Sequence, residues 1–234
     1  MKIFNEDPWV SRSLRELGEY SDSELTYLKV FLGLLSLHSG PVDIVEAGAY
    51  IGDLTLPLSK VCRKIYAFEP QVEVREVLEW NLATNHISNV EVLPFGLGDK
   101  PMTMYYSSVP PIEGAGGTMM DSKGDVAVEI RTLDSFGLTP AFIKADIEGM
   151  EPAFLVGALE TLQRTRCPLF MEFDTVMQQG LEQLPEILGR LGYDVTKFFF
   201  PMYNTQNFNH APNPFGLTVS KMLLAVPPVG AVLG

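Results

Sequence analysis

Cationic side chains are scarce in this chain. Lysine and arginine together number 17 against 29 acids, for a net charge of -12. Phosphate binding needs a basic face and none is legible, so nucleic acid is not expected as a partner. Cysteine is scarcer still: Cys62 and Cys167 each stand beside a strand-like run. Two such thiols make neither a zinc spacing nor a disulfide framework, and read as structural thiols in a reducing compartment. Long apolar runs are missing. Val30 to Leu37 falls far short of the ~20 residues that span a bilayer, so no membrane partner is expected. Acids and Pro8 interrupt the N-terminus, which excludes the pattern of a signal peptide and makes the cytoplasm the expected location. Internal repeats and low-complexity tracts are absent as well.

What remains is an ordinary globular mixture, 46% hydrophobic and 20% charged over 234 residues. Residues 1–40 read as a helical cap. Ser21 and Glu24 have capping-box spacing, Leu25, Leu28, Phe31, Leu32 and Leu35 form a stripe, and Gly40-Pro41 stop the helix. Residues 4–20 are the part of this cap that suits a lid. From 41 to 234 strands and helices alternate. Strands are expected at 42–47, 64–69, 90–94, 141–147, 168–173, 193–199 and 221–226. Helices are expected at 53–61, 72–85, 150–164 and 181–191. This rhythm predicts an α/β fold, a parallel sheet with helices on both faces. Two stretches break it. Residues 101–133 hold two β-like runs around a glycine-rich loop, a β-hairpin insertion. Residues 200–220 form a long C-terminal loop of the kind that usually carries function.

The chemistry gathers where strands are expected to end. Val42 to Ala47 runs into Glu46-x-Gly48 and then Tyr50 and Gly52; Lys64 to Phe68 ends in Glu69-Pro70. Glycines let the backbone turn sharply and approach a ligand, and an acid about 20 residues on suits a ribose. The spacing E-x-G-x-x-x-G is not G-x-G-x-x-G. It favours S-adenosylmethionine over a nicotinamide, although a nicotinamide-dependent oxidoreductase on a Rossmann sheet and a non-catalytic cofactor-binding domain are the alternative readings. Glu46, Gly48, Glu69, Pro70, Gly96, Leu97 and Asp146 are candidate cofactor residues, with backbone N–H groups after Gly52 and the Thr55 hydroxyl offered to the cofactor's carboxylate. Asp146 and Glu148 are candidate general bases, and His210 in the C-terminal loop is the runner-up. Lys144 lies in an apolar run and needs an acid beside it, with Glu46 or Glu172 as its partner, or Asp146 in the structural reading of that acid. Asp146, Glu148 and Glu151 do not have the spacing of a recognised cation cage, so no metal is expected.

In order along the chain stand Glu46-x-Gly48-Ala49-x-Ile51-Gly52, Tyr66 to Pro70, Asn81, Asn85, Leu97-Gly98-Asp99, Thr132-Leu133-Asp134, Lys144-x-Asp146-x-Glu148-Gly149-x-Glu151 and Glu172. This set resembles the FkbM family of S-adenosylmethionine-dependent methyltransferases over about residues 42–175. The family usually carries aspartate at position 46 and asparagine at position 50. The change to Tyr50 touches the usual contact to the cofactor's methionine end. The resemblance implies a Rossmann-like, class I methyltransferase sheet of seven mostly parallel strands, the last antiparallel. It also implies O-methylation of a small-molecule or natural-product acceptor. Aromatics in the irregular segments, among them Trp9, Tyr105 and Tyr203, suggest an apolar or ring-bearing acceptor.

Overall fold

The computed structural model describes residues 1–5, 7–107, 124–174 and 181–228. Two helices open the chain, α1 (Val10–Glu16) and α2 (Asp22–Leu35). There follow β1 (Asp43–Ala47), α3 (Thr55–Leu58), β2 (Lys64–Phe68), α4 (Val72–Thr84), β3 (Val90–Leu93), β4 (Gly96–Leu97), β5 (Met102–Tyr106) and β6 (Val126–Arg131). The second half holds β7 (Phe142–Ala145), α5 (Glu151–Gly157), α6 (Leu159–Thr165), β8 (Leu169–Glu172), α7 (Leu184–Arg190), β9 (Asp194–Pro201) and β10 (Val219–Val226).

Seven strands form one sheet in the order β3-β2-β1-β7-β8-β10-β9. Only β10 runs against its neighbours, pairing antiparallel with both β8 and β9. This is the seven-stranded, mostly parallel sheet expected from the sequence. β7 is buried at all four residues, and β1 at four of its five. Strands covered on both faces read as continuous apolar runs rather than as alternation. Neighbouring residues divide between two cores. Val45, Ile143 and Leu169 pack under α5, α6 and α7. Ile44, Phe142 and Phe170 pack under α2, α3 and α4. The strand order turns back between β1 and β7, and in open sheets of this kind ligands bind at the strand ends beside that reversal.

The insertion is a hairpin as expected, with β5 antiparallel to β6. Its glycine-rich loop lies outside the described residues. The sequence reading missed a third strand: β4 pairs parallel with β6, so the hairpin is part of a separate three-stranded sheet. The helix expected over 150–164 is two helices, separated at Ala158 (φ -113°). Gly157 lies so close to the Gly98 carbonyl that a Cβ would stand 1.9 Å from its oxygen.

The capping box at Ser21 is not formed. Ser21 has a left-handed backbone (φ 48°) and its hydroxyl accepts no N–H of the helix start. It donates instead to the Glu24 carboxylate at 3.0 Å, and Glu24 points inward. The expected stripe does face the sheet, with Leu28 and Leu32 fully buried.

Candidate active site

A cavity of about 440 Å³ opens at the carboxyl ends of β1, β2, β7 and β8. This size falls within the range of small-molecule pockets. Glu46, Gly48, Tyr50, Glu69, Pro70, Gly96, Leu97, Asp146 and Glu148 all line it. The predicted residues from four separate strand ends therefore share one hollow.

The walls are built by the backbone around the sheet's reversal. Gly48 and Ala49 both donate N–H bonds to the Phe68 carbonyl, at 3.0 and 3.1 Å, which ties the end of β1 to β2. The Asp146 N–H donates to Ala47 at 3.1 Å, which ties β7 to β1. Gly48 (φ 79°) occupies a conformation that suits glycine, and no side chain fits there against Asp146. Buried Glu69 accepts the Tyr50 N–H at 3.0 Å on one oxygen and the Gln71 N–H at 2.9 Å on the other. Each carboxylate oxygen retains a further acceptor position. Burial pushes the Glu69 carboxyl up to about 7, against the lowering pull of those two N–H groups. Phe95 is held by the Arg131 guanidinium, 3.8 Å above its ring, and by Phe136.

A largely buried charge cluster forms part of the cavity floor. Glu46 and Lys144 are register partners on β1 and β7, so their side chains share the sheet face that α2 covers. Lys144 is buried, and its nearest acid is Asp146, at 3.4 Å. Glu46 or Glu172 was the expected partner, with Asp146 the alternative. Asp146 takes that place because it follows Lys144 by two residues and returns to the same side of the strand. Desolvation lowers the ammonium's proton affinity, but Asp146, Glu46, Glu24 and Asp53 together outweigh it and raise it. Burial in turn raises Glu46 and Glu24, and lifts Asp53 to about 7.

Three predictions are corrected. The Thr55 hydroxyl does not point into the cavity: it is fully buried and donates to Glu46 at 2.7 Å. A carboxylate desolvated on the floor needs a donor, and Thr55 is the one at hand. Gly52 itself (φ 86°) is likewise off the cavity wall, closed in by Leu56 and Leu78, although Asp53 and Leu54 directly after it line the cavity. His210 is exposed in the C-terminal segment and does not line the cavity; it sits in a turn closed by the Ala211 N–H bond to the Asn207 side chain. Glu151 is also turned away. Its carboxylate accepts the Ile147 and Gly149 N–H groups and so fixes the left-handed turn at Glu148 (φ 54°). The acid that joins Asp146 and Glu148 is Glu172; oxygens of these three lie within 4.8 Å of one another.

The sequence reading missed Asp7, Tyr20, Glu24 and Asp53, all of which reach the cavity. Asp7 carried a signal, since an acid just before a helix accepts the helix's free N–H groups. It accepts those of Trp9 and Ser11, at 3.0 and 2.7 Å. The far end of the cavity is closed by Met202 and Thr218 to Ser220, and Trp9 there stacks on Phe215. Cys62 and Cys167 lie elsewhere, buried and free, with burial pushing their thiols up to about 12 and 11.

Comparison with known proteins accords with this geometry. The family described as Methyltransferase FkbM domain matches residues 46–195. No curated protein sequence matches the chain. Among solved structures, methyltransferase FkbM from Methylobacillus flagellatus KT is 18% identical with a TM-score of 0.53. The match covers 93% of this chain but 55% of that one, so this chain spans about half the length of that relative. Magnesium protoporphyrin IX methyltransferase from Synechocystis PCC 6803, solved with bound SAM, is 12% identical with a TM-score of 0.55, covering 97% of this chain and 86% of that one. Precorrin 8W decarboxylase from Methanobacterium thermoautotrophicum is 16% identical with a TM-score of 0.50, covering 87% and 90%. At these identities the likeness is one of fold, and its bearers carry more than one chemistry.

Proposed function

This chain belongs to the FkbM methyltransferase family, and we propose on that footing that it moves a methyl group from S-adenosylmethionine to an oxygen of a small-molecule acceptor. The observation that carries the reading is the meeting of Glu46, Gly48, Glu69 and Asp146 in one cavity at the reversal of the sheet. Family membership favours methyl transfer over the nicotinamide reading.

The residues present fit this donor. Glu69 keeps acceptor positions for two ribose hydroxyls while its own orientation is fixed by Tyr50 and Gln71. Gly96 and Leu97, with Phe95 braced by Arg131, offer a flat wall for adenine, and Pro70 stiffens the turn beside it. Gly48 and the acids beneath it supply the negative surroundings that a sulfonium and an ammonium call for. When bound, S-adenosylmethionine supplies an electrophilic methyl group.

The protein's part is alignment and proton removal. Holding the acceptor in line is worth on the order of 7–11 kcal/mol in ideal cases. Asp146 and Glu148, on the turn after β7, are the groups positioned to take the acceptor's proton, a contribution of roughly 10²–10⁴-fold. Trp9, Tyr20 and Met202 give the outer cavity an aromatic and apolar side that suits a ring-bearing acceptor. The acid-rich lining, with Lys144 its one basic residue among those described, weighs against nucleic acid. Among the described residues no helix is long and apolar enough to cross a membrane.

The test is calorimetry with S-adenosylhomocysteine, followed by transfer of labelled methyl groups to a panel of hydroxylated ring compounds. Micromolar binding with turnover supports the reading. Absence of detectable binding refutes it, and binding without turnover across the panel favours a non-catalytic cofactor-binding domain.

A further inference from the structure

Tyr50 has a left-handed backbone, φ 47°. That conformation is costly for an aromatic residue, and such outliers persist where the surrounding structure holds them for a purpose. The N–H and the hydroxyl of Tyr50 are both engaged. Its N–H donates to the Glu69 carboxylate at 3.0 Å. Its hydroxyl donates to Asp7 Oδ2 at 3.0 Å. The same Asp7 oxygen accepts the Ser11 N–H, so one buried carboxylate joins Tyr50 to the opening turn of α1. Trp9 and Val10, on that turn, form part of the cavity wall. A second tie lies one residue along. The Asn81 side chain accepts the Lys2 N–H at 2.5 Å and donates to the carbonyls of Lys2 and Ile51, at 3.0 and 2.9 Å. Phe4 packs on the Tyr50 ring, with centroids 6.2 Å apart. The turn that carries Tyr50 thus holds the N-terminal segment on one side and the Glu69 carboxylate on the other.

We propose that Tyr50 is a positioning residue for the methyl donor: through Asp7 it seats α1 as the outer wall of the cavity, and through its N–H it aims Glu69. This rests on the donor reading above. Donor binding and seating of the N-terminal segment are then coupled, because both use the same turn. A donor pressed against Glu69 fixes the Tyr50 backbone, and a fixed Tyr50 holds its hydroxyl on Asp7.

Tyr50→Phe removes one hydroxyl and keeps ring and backbone. The measurements are the S-adenosylhomocysteine affinity by calorimetry and hydrogen exchange of residues 7–16 with and without that ligand. The variant is expected to bind about tenfold more weakly, the scale of one hydrogen bond to a charged group. Its exchange at Trp9 to Ser11 quickens, and the protection conferred by ligand shrinks. Asp7→Asn, which leaves the Tyr50 backbone untouched, has the same effect and stands in should Tyr50→Phe not fold. The double variant is no weaker than the weaker-binding single one, since both cut one link. Faster exchange with unaltered affinity shows a merely structural tie and overturns the proposal. Should the unaltered protein bind no S-adenosylhomocysteine, the donor reading falls. The seating itself is then judged on the free chain: unchanged exchange in Tyr50→Phe removes it, and faster exchange upholds it.

Discussion

A Cβ placed on Gly48 would stand 1.9 Å from the carbonyl oxygen of Asp146. The ends of β1 and β7 therefore touch backbone to backbone, and the Asp146 N–H bond to Ala47 closes the same contact. This places the carboxylates of two strands, about a hundred residues apart in sequence, over one hollow.

Gly48→Ala is expected to fail twice, through the positive φ and through the collision with Asp146. A loss of more than about 2 kcal/mol of stability is expected. Thermal melting checks this, and calorimetry checks the accompanying loss of S-adenosylhomocysteine binding. A variant that melts and binds like the parent would show that the two strand ends separate freely.

Glu69→Ala removes the proposed ribose acceptor and frees the Tyr50 and Gln71 N–H groups. Affinity for S-adenosylhomocysteine is expected to fall at least tenfold, about 1.4 kcal/mol. The comparison is calorimetric, at matched folding by circular dichroism. Parental affinity would remove Glu69 from the donor site.

Glu69, Glu151 and Asp53 are pushed up to about 7 by burial, from ordinary values of 4.5, 4.5 and 3.8. Between those ordinary values and 7, the folded chain holds more protons than the unfolded one. Stability therefore falls as pH rises through this window, by an amount on the order of a few kcal/mol. The ligand-free protein is expected to melt at a lower temperature at pH 8 than at pH 5.5, with Glu69→Gln narrowing the difference. A melting temperature that climbs across the window contradicts this assignment.

Lys144→Met removes the ammonium from among Asp146, Glu46, Glu24 and Asp53. Uncompensated buried acids should cost about 3–5 kcal/mol near neutral pH. The loss is expected to shrink at pH 5, where Asp53 takes up its proton in the fold. Urea titration at the two pH values measures both effects; a change within about 1 kcal/mol at each would mean that solvent already screens the cluster.

Asp146→Asn is expected to lower kcat by about 10²–10⁴-fold if it takes the acceptor's proton. His210→Ala, altering an exposed side chain outside the cavity, should leave kcat and KM unchanged. Initial-rate measurements of the pair decide between them, and the reverse ranking would move the base to the C-terminal segment.

The sheet was legible because its central strands are short, mostly apolar runs with an acid at or beside their ends, and both features are local. The separation of α5 from α6 at Ala158 was not. It answers to Gly157 packing on Gly98, a contact between distant segments. The direction of Thr55 was equally illegible. On a short helix beside a strand end its hydroxyl could face the cavity or the sheet, and a buried Glu46 in need of a donor decided the matter. Position alone had put His210 near the cavity; in the fold it is exposed, on a turn tied through Asn207 that stays off the cavity wall.

By itself the sequence determined the alternation of strand and helix, the glycine turn after β1 and the acids at the strand ends, since each depends on neighbours along the chain. Tertiary structure alone decided which groups meet. Glu24 reaches Ser220 across 196 positions, and Tyr50 reaches Asp7 across 43. The reason is physical: spacing fixes the face on which a side chain stands, whereas a buried charge takes whichever partner the packing of distant elements brings within reach.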